Sequence, residues 1–211
     1  MRNTNPLTPA QIKAMRQACN RNTRLGARDF ALLECFIRTG RRRREIQRLR
    51  IGDIHESAQG NLTFDWVGKG GKRGKRVFPR LAYNAIIAYL KKDNRWHPGS
   101  MDPEMYVFQP LATPGQVART NQPANHPIST GQVCRIIKKL ARRGGLPDWQ
   151  EITPHRLRHT VAHLLYNQTK DPKLVMELLD HADLHTTMIY LLTMQEPVDN
   201  FSAALEIAYG F

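Results

Sequence analysis

Three times in this chain a helix-capping side chain is followed at once by proline: Thr8-Pro9, Thr153-Pro154 and Asp171-Pro172. Proline at the first helical position forfeits no hydrogen bond, because an N–H there would be unpaired anyway. The capping oxygen meanwhile satisfies one of the remaining free N–H groups. These pairs predict helices starting at 9, 154 and 172, and Gln11 stands in capping-box position to Thr8. Between them, "ARDFALLECFIRTG" (27–40) has the apolar density of a core helix closed by Gly40. "RRREIQRLRIGDI" (42–54) predicts a short basic helix. Amphipathic segments predict further helices over 81–92 and 129–145, the second capped by Ser129 and ended by Gly144-Gly145. Two more are expected from 186 and 198. "NLTFDWVG" and "KRVFP" flank a glycine-lysine loop and predict a β-hairpin. Residues 94–128, rich in Pro, Asn and Gly, read as a long loop with one short extended piece at "MYVFQ". The expected architecture is mostly α with a small antiparallel β-sheet, an α+β fold in a single domain over residues 1–211.

A chain of 211 residues can bury a real core, so the charge is the unusual quantity: 32 Lys+Arg against 18 Asp+Glu, a net +14. That excess repels itself in a compact state, and a polyanionic partner is the usual reason for it. Nucleic acid is favoured over a membrane surface, since no segment pairs a Lys/Arg face with a Trp/Phe/Leu face. There is no long apolar run, and the start "MRNTNPLTP" has no apolar stretch of the secretory type. The three cysteines (Cys19, Cys35, Cys134) are widely spaced and form no C-x-x-C pair. A cytoplasmic protein with reduced thiols is the expectation.

The positive charge is clustered. "RRRREIQRLR" (41–50) holds six arginines in ten residues. Most of them suit a solvated or DNA-facing surface, with room for one to turn inward behind the apolar helix ending in "IRTG". "GKGGKRGKR" (68–76) has no G-x-x-x-x-G-K-[ST] register, so a nucleotide-binding loop is excluded, and a basic hairpin tip remains.

"TPHRLRHTVAHLL" (153–165) admits a metal site, a phosphate site or a solvated basic face. His155, His159 and His163 share a stripe, but H-E-x-x-H is absent and two arginines would oppose a cation. His155 and Arg158 share a face in the first turns, where free N–H groups and the helix dipole favour an anion. Phosphate fits these residues best.

With those residues in place, the chain resembles the catalytic domain of the tyrosine recombinases, the phage integrase family, over about residues 7–195. The family's first box, T-G-x-R-x-x-E-[LI], corresponds to "TGRRRREI", which places its arginine at Arg42 and its glutamate at Glu45. The hairpin lysine of G-K-G-x-K-x-R-x-x-P corresponds to Lys69 in "GKGGKRGKRVFP", with one extra loop residue. The second box, H-x-L-R-H-T, is "HRLRHT", with His155 and Arg158. The third, L-G-H-x-x-x-x-T-T-x-x-Y, is "LDHADLHTTMIY", with His181 and Tyr190. Asp180 stands where the family usually has glycine. Because it brings a negative charge near a phosphate site, Asp180→Gly is expected to leave activity intact or raise it.

The resemblance implies roles. Tyr190 would attack the scissile phosphate and form a 3′-phosphotyrosyl link. Arg42 and Arg158 would hold the nonbridging oxygens, Lys69 would protonate the leaving 5′ oxygen, His155 would act as general base and His181 would hydrogen-bond the phosphate. Neither a metal nor a cofactor is implied. Double-stranded DNA is the implied partner, with Arg41, Arg43, Arg44, Lys72, Arg73, Lys75 and Arg76 as further DNA contacts. The resemblance also implies a DNA-bound dimer or tetramer, residues 197–211 docking on a neighbouring protomer, and a prokaryotic, nucleoid-associated setting. Only six residues precede Leu7, so the N-terminal core-binding domain of most members is expected to be absent from this sequence, either because the chain is a fragment or because it belongs with the short fimbrial-type members. A non-catalytic basic DNA-binding protein and a metal-dependent nuclease remain the alternatives.

Overall fold

The computed structural model describes residues 5–67, 71, 73–111 and 125–180. Helix α1 (Pro9–Gln17) starts with the expected capping box: Thr8 Oγ accepts from the Gln11 N–H at 3.2 Å, and Gln11 Oε1 accepts from the Thr8 N–H at 2.9 Å. Helix α2 (Arg24–Thr39) is the centre of the molecule, burying Ala31, Leu32, Leu33, Cys35 and Phe36. It stops because Gly40 turns left-handed at φ 59°, its N–H returning to the Phe36 carbonyl.

The principal neighbour of α2 is α4 (Arg80–Lys92), which contributes Ala82, Ile86, Tyr89 and Leu90 to the same core. Burying one large apolar side chain stabilises by about 1.5–3 kcal/mol. The shared α2–α4 face therefore outweighs any single cap, at about 1 kcal/mol. Helix α5 (Thr130–Arg143) packs on α1, while α6 (Pro154–Thr169) packs on α2. Helix α7 (Pro172–Leu179) closes onto α6 through Ala162, Val175 and Leu179.

Strands β1 (Ile54–Glu56), β2 (Leu62–Val67) and β3 (Arg73–Val77) form an antiparallel sheet in that order. Strand β2 alternates, with Leu62, Phe64 and Trp66 buried and the residues between them facing outward. Gly74 lies opposite Trp66, where a Cβ would come within 2.7 Å of the indole ring.

The basic helix expected over 42–54 is shorter than its composition suggests. Helix α3 spans only Arg43–Gln47, followed by a 3₁₀ turn over Ile51–Asp53 and then β1. Tertiary partners claim the backbone here. The Val107 N–H donates to the Leu49 carbonyl at 2.8 Å, and the Ile51 and Gly52 N–H groups donate to the Met105 and Pro103 carbonyls. The long loop is held where the extended piece at "MYVFQ" is expected, by a bridge between Arg50 and Tyr106. The helices expected from 186 and 198 lie outside the described residues.

Candidate active site

Helix α6 presents its first turns to the ends of two other helices. Thr153 caps it, accepting from the Arg156 N–H at 3.2 Å, with Pro154 at the first position. One turn in, Arg158 is 5% exposed. Its Nη1 donates to the Gly40 carbonyl at 2.8 Å, and its Nη2 donates to the Leu179 carbonyl. One guanidinium therefore joins the end of α2, two residues before Arg42, to the end of α7, two residues before His181. Arg156, its neighbour, points elsewhere: Nε donates to the Asn5 carbonyl and Nη1 to Asp148, fixing the N-terminal segment.

The four arginines 41–44 separate once Gly40 has turned the chain. Arg42 occupies the N-cap of α3 and is partly exposed, its backbone N–H and Nη1 both directed at the Glu45 carboxylate (3.2 and 3.4 Å). Arg43 is half-buried and Arg44 exposed. Arg41 does not join the DNA-facing run expected of it. At 2% exposure it lies beneath the sheet, 5.0 Å from the Trp66 ring and 5.6 Å from Phe64. Nη1 pairs with Asp180 and approaches Glu45 at 3.5 Å, while Nη2 donates to the Leu178 carbonyl. An apolar pocket with three acceptors takes one cation inward, and the αL turn at Gly40 selects Arg41.

That placement also overturns the expectation for Asp180. Its side chain is 3% exposed and sits between Arg41 and Arg76, whose Nη2 donates to Oδ1 at 3.1 Å and to the Glu177 carbonyl at 3.2 Å. Glycine at 180 would take from buried Arg41 its nearer carboxylate, leaving Glu45 at 3.5 Å and the Leu178 carbonyl, so Asp180→Gly is expected to destabilise the protein rather than to raise its activity. Arg76 makes these contacts from a side chain that is still 44% exposed, on the same outward-facing strand as the exposed Arg73 and Lys75.

His155 is exposed at the start of α6, and its Nε2 lies 2.9 Å from Nε2 of His159 with the rings edge-on. Both imidazoles titrate below the ordinary range. Burial and then the Arg158 cation lower His155, while burial, His155 and Arg158 push His159 down to about 4. The pair is neutral at pH 7 and, in a suitable tautomer, leaves a ring nitrogen of His155 able to accept a proton. His159 stands in the same box as His155 but has no role assigned to it by the resemblance. Its signal is the i, i+4 spacing from His155, which also suggested a metal stripe. His163, the third member of that stripe, bonds Asn167 instead.

Lys69, Lys72, His181 and Tyr190 lie outside the described residues. Among the other tyrosines, Tyr89 is fully buried, accepts from Arg95 Nη2 at 2.6 Å, and is pushed up to about 12 by burial. Tyr106 pairs with Arg50, and Tyr166 packs beside the α6–α7 contact.

Comparison with known proteins agrees with this geometry. Residues 5–196 match the model of the Phage integrase family. The tyrosine recombinase XerD of Rickettsia bellii (strain RML369-C) is 30% identical over 184 residues, 85% of this chain and 56% of that protein. The tyrosine recombinase XerC of Chromohalobacter salexigens is 30% identical over 200 residues, 94% of this chain and 60% of that protein. The chain thus spans little more than half the length of these relatives. Among solved structures, XerH site-specific recombinase bound to palindromic difH substrate, a post-cleavage complex, superposes with a TM-score of 0.69 at 20% identity. That match covers 98% of this chain and 53% of the other. XerA recombinase gives 0.65 at 23% identity, covering 97% and 62%. These likenesses show the fold, mostly helical with one small antiparallel sheet.

Proposed function

The chain belongs to the phage integrase family, and on that premise we propose that it is a site-specific tyrosine recombinase acting on double-stranded DNA. The observation that carries the reading is the Arg158 guanidinium, anchored on the Gly40 and Leu179 carbonyls. It gathers the turn before Arg42 and the chain before His181 around the first turns of α6.

In this reading Arg42 and Arg158 hold the two nonbridging oxygens of one phosphodiester, a geometry that the planar guanidinium suits. Tyr190 attacks the phosphorus, forming a 3′-phosphotyrosyl bond as the bond to the 5′ oxygen breaks. A phenol of pKa about 10 is a poor nucleophile unaided, so His155, neutral at pH 7, takes its proton. Lys69 delivers a proton to the departing 5′ oxygen, and His181 hydrogen-bonds the phosphate. Religation is the reverse. The phosphoester keeps the bond energy, so the exchange needs no nucleotide, and the two arginines take the charge-neutralising part that a metal would otherwise play.

Arg43, Arg44, Lys72, Arg73 and Lys75 extend the DNA contact. Assembly into a dimer or tetramer on DNA is part of the same reading, as is docking of residues 197–211 on a neighbour through Phe201, Ala204, Leu205 and Ala208. Among the described residues no helix is long and apolar enough to cross a membrane. The setting we propose is the nucleoid of a prokaryotic cytoplasm.

Incubation with a nicked suicide DNA substrate in chelator tests the reading. A recombinase accumulates a covalent protein–DNA adduct. A metal-dependent nuclease is silent in chelator, and a DNA-binding protein without chemistry retains DNA but forms no adduct.

A further inference from the structure

Asp180 is the last described residue before the segment that carries His181 and Tyr190, and its backbone is left-handed at φ 49°. Aspartate tolerates that conformation better than most residues, and it is the ordinary one at a helix end, here the stop of α7. What is unusual is the side chain. The carboxylate is 3% exposed and is gripped by guanidinium groups from two other elements.

Arg41 reaches it from the turn between α2 and α3, held there by the Leu178 carbonyl, Glu45 and the faces of Trp66 and Phe64. Arg76 reaches it from β3, the strand that returns from the hairpin carrying Lys69. The same Glu45 carboxylate accepts from the Arg42 backbone N–H. Arg41 and Asp180 thus adjoin in the chain two site residues, Arg42 and His181, and Arg76 ties them to the strand that follows the loop bearing Lys69 in sequence. The basic run and the departure from glycine at 180 turn out to be the two halves of one contact.

We propose that Arg41 and Asp180 are a positioning pair: together they lock the entry of the nucleophile-bearing segment onto the turn that presents Arg42, and Arg76 latches the lysine hairpin to the same carboxylate. The pair touches no reacting atom. It sets where the groups that do so stand, and this inference rests on the recombinase reading above. A buried ion pair is a weak source of net stability, because desolvation cancels most of its attraction. A two-charge contact is, however, specific in geometry, and displacements of about 1 Å can cost on the order of a hundredfold in rate.

The test is a double-mutant cycle on the full chain, read as single-turnover adduct formation on the suicide substrate at saturating protein. DNA affinity and Tm are measured in parallel. Adduct formation by the unaltered protein is the control, and its absence would refute the recombinase reading rather than the pair. Asp180→Asn and Arg41→Met are each expected to slow the step by on the order of tenfold with DNA affinity unchanged. The double variant should be no slower than either single one, since each breaks the same contact. Should the buried variants fail to fold, Arg76→Gln, at a partly exposed side chain, decides the matter. It should slow the saturated step and leave Kd alone. Unchanged saturated rates, additive losses in the double variant, or an Arg76→Gln effect confined to Kd would overturn the proposal.

Discussion

His155 and His159 meet through their Nε2 atoms at 2.9 Å, so one ring donates and the other accepts. Protonating both would place two cations in contact beside Arg158. Their pKa values are lowered in the fold, first by burial, so each contributes stability that is present above the unfolded imidazole value of 6.5. That stability is lost as pH falls, for His159 down to about 4. Thermal unfolding should therefore show Tm dropping as pH is lowered from 6.5 toward 4, and His159→Gln should flatten that slope. For the same reason the acid limb of adduct formation at subsaturating protein, which reports the DNA-free enzyme, should lie below pH 6.5, the ordinary imidazole value. A limb at or above 6.5 under that condition would contradict His155 as the base. These two histidines and Arg158 were legible in the sequence because helix spacing fixes which side chains share a face. Arg41 was not. In a run of four arginines nothing local distinguishes one from the next, and the choice is made by a turn at Gly40 and an acceptor 139 residues away in sequence.

The hairpin is the element on which local sequence and tertiary packing agree most closely. Alternation put Phe64 and Trp66 on the buried face, and Phe64 meets Phe78 edge-on at 5.3 Å. Gly74 is the companion of Trp66 across the β2–β3 ladder. Gly74→Ala must push a methyl carbon to within 2.7 Å of the buried Trp66 indole. We expect a loss of about 1–3 kcal/mol in denaturant unfolding, where Gly71→Ala, with open space around it, costs only its φ strain. The helix starts at 9, 154 and 172 and the glycine stop at 40 were all readable, because caps and prolines act within a few residues. What could not be read was α3 giving way to a 3₁₀ turn and β1. Those residues are governed by carbonyls at Pro103 and Met105, and pattern reading has no access to pairings that distant in sequence.

At the scale of the molecule, buried ion pairs leave the excess of 14 positive charges nearly untouched, because each pair withdraws one charge of either sign from the surface. Arg28, Arg41, Arg95, Arg156 and Arg158 are turned into the protein, four of them against buried or partly buried carboxylates. The exposed remainder, Arg44, Arg48, Arg73, Lys75, Arg135, Arg142 and Arg143 among them, is what DNA would meet. Contact with six or more phosphates predicts an affinity loss on the order of 10³ between 50 and 200 mM salt. A flat titration by fluorescence anisotropy would exclude nucleic acid as the partner. The proposed strand exchange depends on one atom, the phenolic oxygen of Tyr190. Tyr190→Phe removes that oxygen and keeps the ring, so fold and DNA affinity should hold while the covalent adduct disappears. Peptide mapping of the adduct formed by the unaltered protein should place the DNA on Tyr190. An adduct that persists in Tyr190→Phe, or that maps to Tyr209, would contradict the assignment of the nucleophile and the motif register on which it depends.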